Sequence, residues 1–408
     1  MAQTPQSIAL PATATALPSD CHLHRDWRWD NRGRMHLLDA TLFYAPHSGG
    51  VKRYLGEKRR HCAARGVRHT LLVPGACDAT RDAIITIASP AIPFGAGYRL
   101  PLRLGAWQRA IEAAMPDAIE VGDPYPPAWA ALRAADRLGI PAVAFAHSDL
   151  PRLRTSRCGA WAGRAADAYL RRLYARFDAV WAPSRVIARR LEQAGVAGVA
   201  VQPLGVDPGI FHPRRRDPAL RAELGLPAST RLLIFAGRLA AEKRIPLLRA
   251  AVQRLGAPYH LLLVGGDVAR RLDARTTLLP YQQDSVALAR LLASADVLVH
   301  AGEHETFGIV ILEAMACGCP VVGVAAGAIP ELVDARVGAL ATPGDAAAMA
   351  AAIDDVYARD HDALGAAARV RVERDYAWAR TLDRQLDAYA RLLRRSVTMP
   401  ASALTEAG

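Results

Sequence analysis

The chain is predicted to be an α/β protein made of two doubly wound domains, and three observations predict it. Its 408 residues suffice for two to three domains, each with a full core. From Met35 onward, short apolar runs alternate with longer amphipathic ones, the pattern of a parallel sheet wrapped by helices. The alternation lapses across 204–224, which is rich in Pro and Arg and holds no period, and it restarts at Leu232.

Residues 1–34 are expected to be a disordered tail, because MAQTPQSIALPATATALPSD lacks the basic start and strong apolar run of a signal peptide. The first domain, 35–205, places strands at 36–43, 68–73, 84–87, 118–121, 142–146, 179–182 and 199–201. Its helices fall at 51–64, 102–114, 128–138, 160–176 and 185–194. The second domain, 206–375, opens with the connecting stretch. It continues with strands at 232–236, 260–264, 276–279, 297–301 and 321–324, and with helices at 246–255, 285–293, after Gly308, near Ile329 and at 345–358. Residues 376–395 carry Trp378, Leu382, Leu386, Tyr389 and Leu393 at helical spacing and read as a closing amphipathic helix.

Half the residues are apolar and about a fifth charged, as in a soluble globular chain. No apolar segment reaches the roughly 18 residues that a membrane-crossing helix needs. The six cysteines (Cys21, Cys62, Cys77, Cys158, Cys317, Cys319) are scattered and have no His or Cys cluster beside them. This argues against a disulfide framework or zinc site and fits a reducing cytoplasm. The formal charge is +12, concentrated in two clusters: Lys52, Arg53, Lys58, Arg59, Arg60, Arg65 and Arg68, then Arg152, Arg154, Arg157, Arg164, Arg171, Arg172 and Arg176. Such clusters suit nucleic acid, an anionic membrane or phosphorylated substrates. Nucleic acid is disfavoured, because no aromatic-and-basic strand, helix-turn-helix or zinc signature is present. Neither half opens with GxGxxG, which disfavours a dinucleotide dehydrogenase.

The most informative stretch is 303–320, EHETFGIVILEAMACGCP. Glu305 and Glu313 stand eight apart, with Phe307, Gly308 and Ile309 between them. A short buried helix should start at Gly308 and stop at Gly318 and Pro320. A helix start offers free N–H groups and a positive dipole end, a seat for phosphate or a polarised sugar oxygen. Glu305 could equally be a plain N-terminal helix charge. Glu313, amid Ile311, Leu312, Ala314 and Met315, needs a partner, either a paired side chain or ligand hydroxyls. Gly49 and Gly50 follow Ser48 and precede a helix, so backbone can approach a ligand there, although such a turn is common. His147 and Asp149 lie at a strand end, where His147 could be a satisfied structural group and Asp149 a helix cap. Arg238 and Lys243, in the loop GRLAAEK, are surface charges or the cations for a diphosphate. Gly265 and Tyr281 sit in later loops of the same half.

Together these motifs resemble the signature of glycosyltransferase family 4, of retaining nucleotide-sugar type, and the similarity spans about 35–395. The linker residues Asp207 and Phe211 match as well, with Leu204 where Asn is frequent. The resemblance implies the GT-B architecture: two Rossmann-like domains facing a central cleft, with the final helix crossing back to the first. It implies transfer of a hexose, leaning to GDP-mannose, from a nucleotide diphosphate sugar to a glycolipid or polysaccharide precursor, with no cofactor and no metal. The catalytic set it implies is His147, Glu305, Arg238 and Lys243. Donor binding would add Gly49, Gly50, Gly265, Tyr281, Phe307, Gly308, Ile309 and Glu313, and Asp149 would meet the acceptor. The Arg-rich helix that carries Leu170, Leu173, Tyr174 and Phe177 suggests a peripheral seat on the anionic inner membrane face. A sugar phosphorylase or a nucleotide-sugar epimerase would use the same cleft.

Overall fold

The computed structural model describes residues 35–45, 49–93, 97–150 and 159–398, with side chains through Arg394. The N-terminal tail, Ser48, the cluster members Arg152, Arg154 and Arg157, and Cys21 and Cys158 lie outside the described residues.

The runs of apolar residues form strands, and the central ones are buried on both faces, as helix-covered parallel strands must be. In the first half these are β1 (His36–Ala40), β2 (Arg68–Gly75), β4 (Ile84–Ala88), β5 (Ala118–Val121), β6 (Ala142–Phe145), β7 (Ala179–Ala182) and β8 (Val199–Val201). A short strand β3 (Ala79–Arg81) precedes β4 and pairs with it antiparallel. The sheet order is β3-β4-β2-β1-β5-β6-β7-β8, parallel except at the β3 edge. Leu38, Leu72, Ile119 and Ala144 of this sheet pack on the wholly buried Trp107 and Ile111 of helix Leu104–Ala114.

The second half repeats the plan with β9 (Arg231–Ala236), β10 (Tyr259–Gly266), β11 (Arg270–Asp273), β12 (Thr276–Pro280), β13 (Val297–His300), β14 (Val321–Val324) and β15 (Gly338–Ala341). Their order is β11-β12-β10-β9-β13-β14-β15, again parallel except for the β11 edge. Strand order reverses beside β1 in the first sheet and beside β9 in the second. Ligands of such sheets bind at the carboxyl ends of the strands at this reversal.

The halves are joined twice. After β8 the chain enters the second half, and a backbone bridge pairs Val206 with Ala377 where it returns. Helix Trp378–Thr398 then packs on the first half, around a buried polar group. Lys58 Nζ lies 2.7 Å from Asp39 Oδ1, 3.0 Å from Glu120 Oε2 and 3.0 Å from the Tyr389 hydroxyl. Gln385 Nε2 donates to Glu120 at 2.9 Å and to the Tyr54 hydroxyl at 2.6 Å. Burial favours the neutral form of both acids. For Asp39 the charges of Lys58 and His69 outweigh it and hold the carboxyl at about 2, whereas burial prevails at Glu120 and raises it.

Two sequence readings are corrected here. Lys58 is buried inside the first half, so it belongs to this network and not to a basic surface. In helix Ala160–Tyr174 the apolar stripe faces inward: Leu170, Leu173 and Tyr174, with Phe177 just beyond, are buried in the core, so they are unavailable to a bilayer. Amphipathicity alone cannot tell a core from a membrane, and the sheet claims the stripe first. Helix His361–Asp375 has no counterpart among the expected elements.

Candidate active site

The two strand reversals face one another across a cavity of about 330 Å³. From the first half, the loop after β1 brings Gly49 and Gly50, and helix Gly50–Ala64 starts there with no side-chain cap. From the second, helix Ile309–Ala316 starts at Gly308, whose φ of +97° suits only glycine without strain. Both helix starts line the cavity, so two sets of unpaired N–H groups and two positive dipole ends converge on it. Gly50 sits close to the opposite half: a Cβ there would stand 3.0 Å from Ile309 Cδ1 and would have to displace that methyl.

Helix Ile309–Ala316 is fixed at both ends. Gly318 takes φ +70° beyond the last turn, and Arg369 Nη1 reaches the Ala316 carbonyl at 2.5 Å. Along it, Glu313 is 1% exposed and pairs with Arg53 of helix Gly50–Ala64. The partner that Glu313 needs is thus a guanidinium from the opposite half. Arg53 lines the cavity and lies 5.8 Å over the Phe211 ring, where burial lowers its pKa.

Glu305 stands at the other side. Its Oε2 is 2.5 Å from Lys243 Nζ and 3.3 Å from His300 Nε2. His300 Nδ1 accepts from the Gly302 N–H at 3.2 Å, which leaves its proton on Nε2, directed at Glu305. Burial opposes ionisation of Glu305, but the Lys243 charge and then His300 hold its carboxyl far below the usual range. Its backbone is clamped as well: Glu305 O accepts from Ala328 N at 2.9 Å, and a Cβ on Gly327 would meet that oxygen at 2.7 Å. Arg238 lines the cavity on the exposed side and faces Glu242 at 3.3 Å.

His147 lines the cavity from the end of β6. Its ring stacks on Phe145 at 4.1 Å, and burial, reinforced by the Lys58 charge, lowers its pKa to about 3. It is a neutral imidazole at physiological pH. Its carbonyl accepts from Thr306 Oγ1 at 3.3 Å, one of several ties between the halves. Ser184 Oγ donates to the Thr306 carbonyl at 2.7 Å.

Of the residues expected from sequence, Gly49, Gly50, His147, Arg238, Lys243, Tyr281, Glu305, Phe307, Gly308, Ile309 and Glu313 all line this one cavity. Gly265 does not. Its φ is +155°, and a Cβ there would fall 1.9 Å from Gly237 O, so it serves the approach of two strand ends behind the cavity wall. Asp149 lies beyond the lining, next to Ser148. Sequence reasoning missed Arg53, His300 and the rings of Phe43 and Tyr98, which stand 6.3 Å apart edge to face at the cavity mouth. The basic run that contains Arg53 held no mark separating it from its surface neighbours.

Fold and site together define a GT-B glycosyltransferase. Residues 48–209 match the Glycosyltransferase Family 4 description and 230–359 match Glycosyl transferases group 1. The chain is 32% identical over 365 residues to a GDP-mannose-dependent alpha-(1-6)-phosphatidylinositol dimannoside mannosyltransferase of Mycobacterium tuberculosis, covering 85% of this chain and 93% of that one. A GDP-mannose-dependent alpha-mannosyltransferase of the same species is 32% identical over 316 residues, 74% of this chain and 82% of that one. Among solved structures, a sucrose-phosphate synthase from Thermosynechococcus elongatus superposes with TM-score 0.73 at 22% identity, over 89% of this chain and 100% of that one. The chain therefore belongs to glycosyltransferase family 4 and is a hexosyltransferase.

Proposed function

We propose that the protein transfers mannose from GDP-mannose, with retention and without a metal, to a hydroxyl of a glycolipid or saccharide precursor. The observation that carries this reading is the convergence of two helix starts with Lys243, Arg238 and Arg53 on one cavity that also holds Glu305 and Glu313. Glycosyl transfer passes through an oxocarbenium-like state as the diphosphate leaves, so preorganised positive charge at the leaving group lowers the barrier. Lys243, Arg238 and the two helix starts would receive the diphosphate. Glu305, held ionised and immobile, would accept hydrogen bonds from sugar hydroxyls, with neutral His147 on another edge of the ring. Glu313 would take the ribose hydroxyls, exchanging Arg53 for them as the donor enters. Glu305 is a poor nucleophile in this setting, since Lys243 and His300 occupy its oxygen; same-face attack assisted by the departing phosphate fits better. The choice of GDP-mannose rests on the two mycobacterial relatives.

Peripheral seating on the anionic cytoplasmic face of a membrane belongs to the same proposal. It is supported by Trp161, 67% exposed, with the exposed Arg164 one turn on and the exposed Arg171 and Arg172 further along helix Ala160–Tyr174.

Incubating the protein with GDP-mannose, membrane lipid extract and EDTA, then determining the anomeric configuration of the product by NMR, tests the reading. An α-mannoside formed in EDTA is expected. Release of mannose 1-phosphate, epimerised nucleotide sugar, a β-product or abolition by EDTA would overturn it.

A further inference from the structure

A second cavity, of about 700 Å³, lies between the two halves behind the wall formed by Pro183 and Phe307, which it shares with the donor cavity. Four arginines line it: Arg185 and Arg189 from helix Arg185–Gln193, Arg371 from helix His361–Asp375 and Arg384 from the returning helix. Among the described residues, no hydrogen bond or ion pair engages the guanidinium groups of Arg185, Arg189 or Arg384. Arg371 is held in place, its Nη1 3.1 Å from Asp334 and its Nη2 2.9 Å from the Glu331 carbonyl.

The two acids of this cavity are already occupied. Glu331 accepts the N–H groups of Arg185 and Val186 at 2.9 and 2.7 Å, so the helix start there is filled by the protein's own carboxylate. Asp375 takes both branches of Arg374, at 2.9 and 2.7 Å; that bond first, then the nearby Arg371 and Arg384, lowers its pKa. The cavity is left with a surplus of cations: Arg185, Arg189 and Arg384, on the first half and the helix packed against it, are free to form fork-like bonds, and Arg371 faces them from the second half.

We propose that this rear cavity is a binding site for a small phosphorylated polyanion, distinct from the donor site, whose occupant ties the two halves together at the chain crossing. The shared chemistry is two or more phosphate groups within one compact ligand. Such a ligand reaches arginines on both halves at once, so its binding stabilises one relative arrangement of the halves by mass action.

Calorimetric titration of inorganic pyrophosphate into the full chain tests this, using wild type, the rear variant Arg189→Ser/Arg384→Ser and the front variant Lys243→Ala. Both rear arginines are exposed, and unchanged far-UV circular dichroism and melting confirm that the rear variant folds. Wild type is expected to bind pyrophosphate at a site that survives in Lys243→Ala and weakens roughly a hundredfold in the rear variant, as loss of two charge-assisted contacts requires. A parallel arm replaces pyrophosphate with phosphatidylcholine vesicles containing phosphatidylinositol phosphate. Rear-dependent binding of free pyrophosphate assigns a soluble ligand, and rear-dependent binding to vesicles alone assigns a lipid headgroup. Binding equal in Lys243→Ala and in Lys243→Ala that also carries the two rear substitutions, in both arms, or none in either, overturns the proposal.

Discussion

Two side chains lining the cavity between the halves, His147 and Glu305, have strongly shifted protonation equilibria, and both make the protein acid-sensitive. His147 has a folded pKa near 3 against an ordinary 6.5, so the unfolded chain binds more protons between those values and stability falls as pH drops through that window. At pH 5 this costs on the order of 2 kcal/mol relative to pH 7.5. Glu305 is depressed below its ordinary 4.5, so its contribution is complete above that value and is lost as pH falls further. Urea unfolding at stepped pH should show His147→Gln flattening the decline from 6.5 to 5, and Lys243→Met flattening it only below about 4.5. Identical pH profiles for all three proteins would show that neither group is perturbed by its surroundings. At this scale the sequence marked the residue types well and their partners poorly. The need of Glu313 for a partner, side chain or ligand hydroxyl, was legible from its apolar neighbours. That the partner is Arg53, some 260 positions earlier, required the fold.

The helices and turns that frame the cavity were largely legible, because their signals are local. Gly308 and Gly318 bracket helix Ile309–Ala316 as left-handed positions should, and the remaining helical bounds differ from expectation by a few residues at most. What escaped were β3, β11, β15 and helix Leu220–Glu223, three or four residues each, too short to show a period. Helix His361–Asp375 escaped for another reason: its buried face, Leu364, Gly365, Ala368 and Val372, is narrow and includes a glycine. Gly365 approaches the Gly318 carbonyl so closely that a Cβ would stand 2.2 Å from it, so close backbone contact replaces a side chain on that face. Gly265 shows the same physics where it can be tested. Gly265→Ala drives a Cβ into Gly237 O and forces a backbone angle that alanine avoids, so a loss of roughly 3 kcal/mol or more is expected in urea unfolding. A near-neutral variant would mean that the β9 and β10 ends are not in this contact.

For the whole molecule, the fold class followed from alternation and restart, while the closing of the cleft depends on buried polar ties that no periodicity announces. Lys58, read from sequence as part of a basic surface, instead holds Asp39, Glu120 and Tyr389 together beneath the returning helix. Lys58→Met leaves buried Glu120 without a counter-charge and Asp39 with His69 alone, and a destabilisation of about 3–5 kcal/mol is expected by chemical denaturation. Tyr389→Phe, which removes two hydrogen bonds, from Lys58 and to Glu120, but no charge, should cost only about 2 kcal/mol. Equal effects from the two substitutions would show that the charge is not what the network balances.

The central claim is that one cavity between two wound halves holds the donor nucleotide by the charges of both. Calorimetric titration of GDP into wild type, Lys243→Ala and Glu313→Gln tests it most directly. The account predicts saturable binding to wild type, weakened roughly tenfold or more in each variant, at the diphosphate in the first and at the ribose in the second. Undiminished GDP affinity in both variants would contradict it.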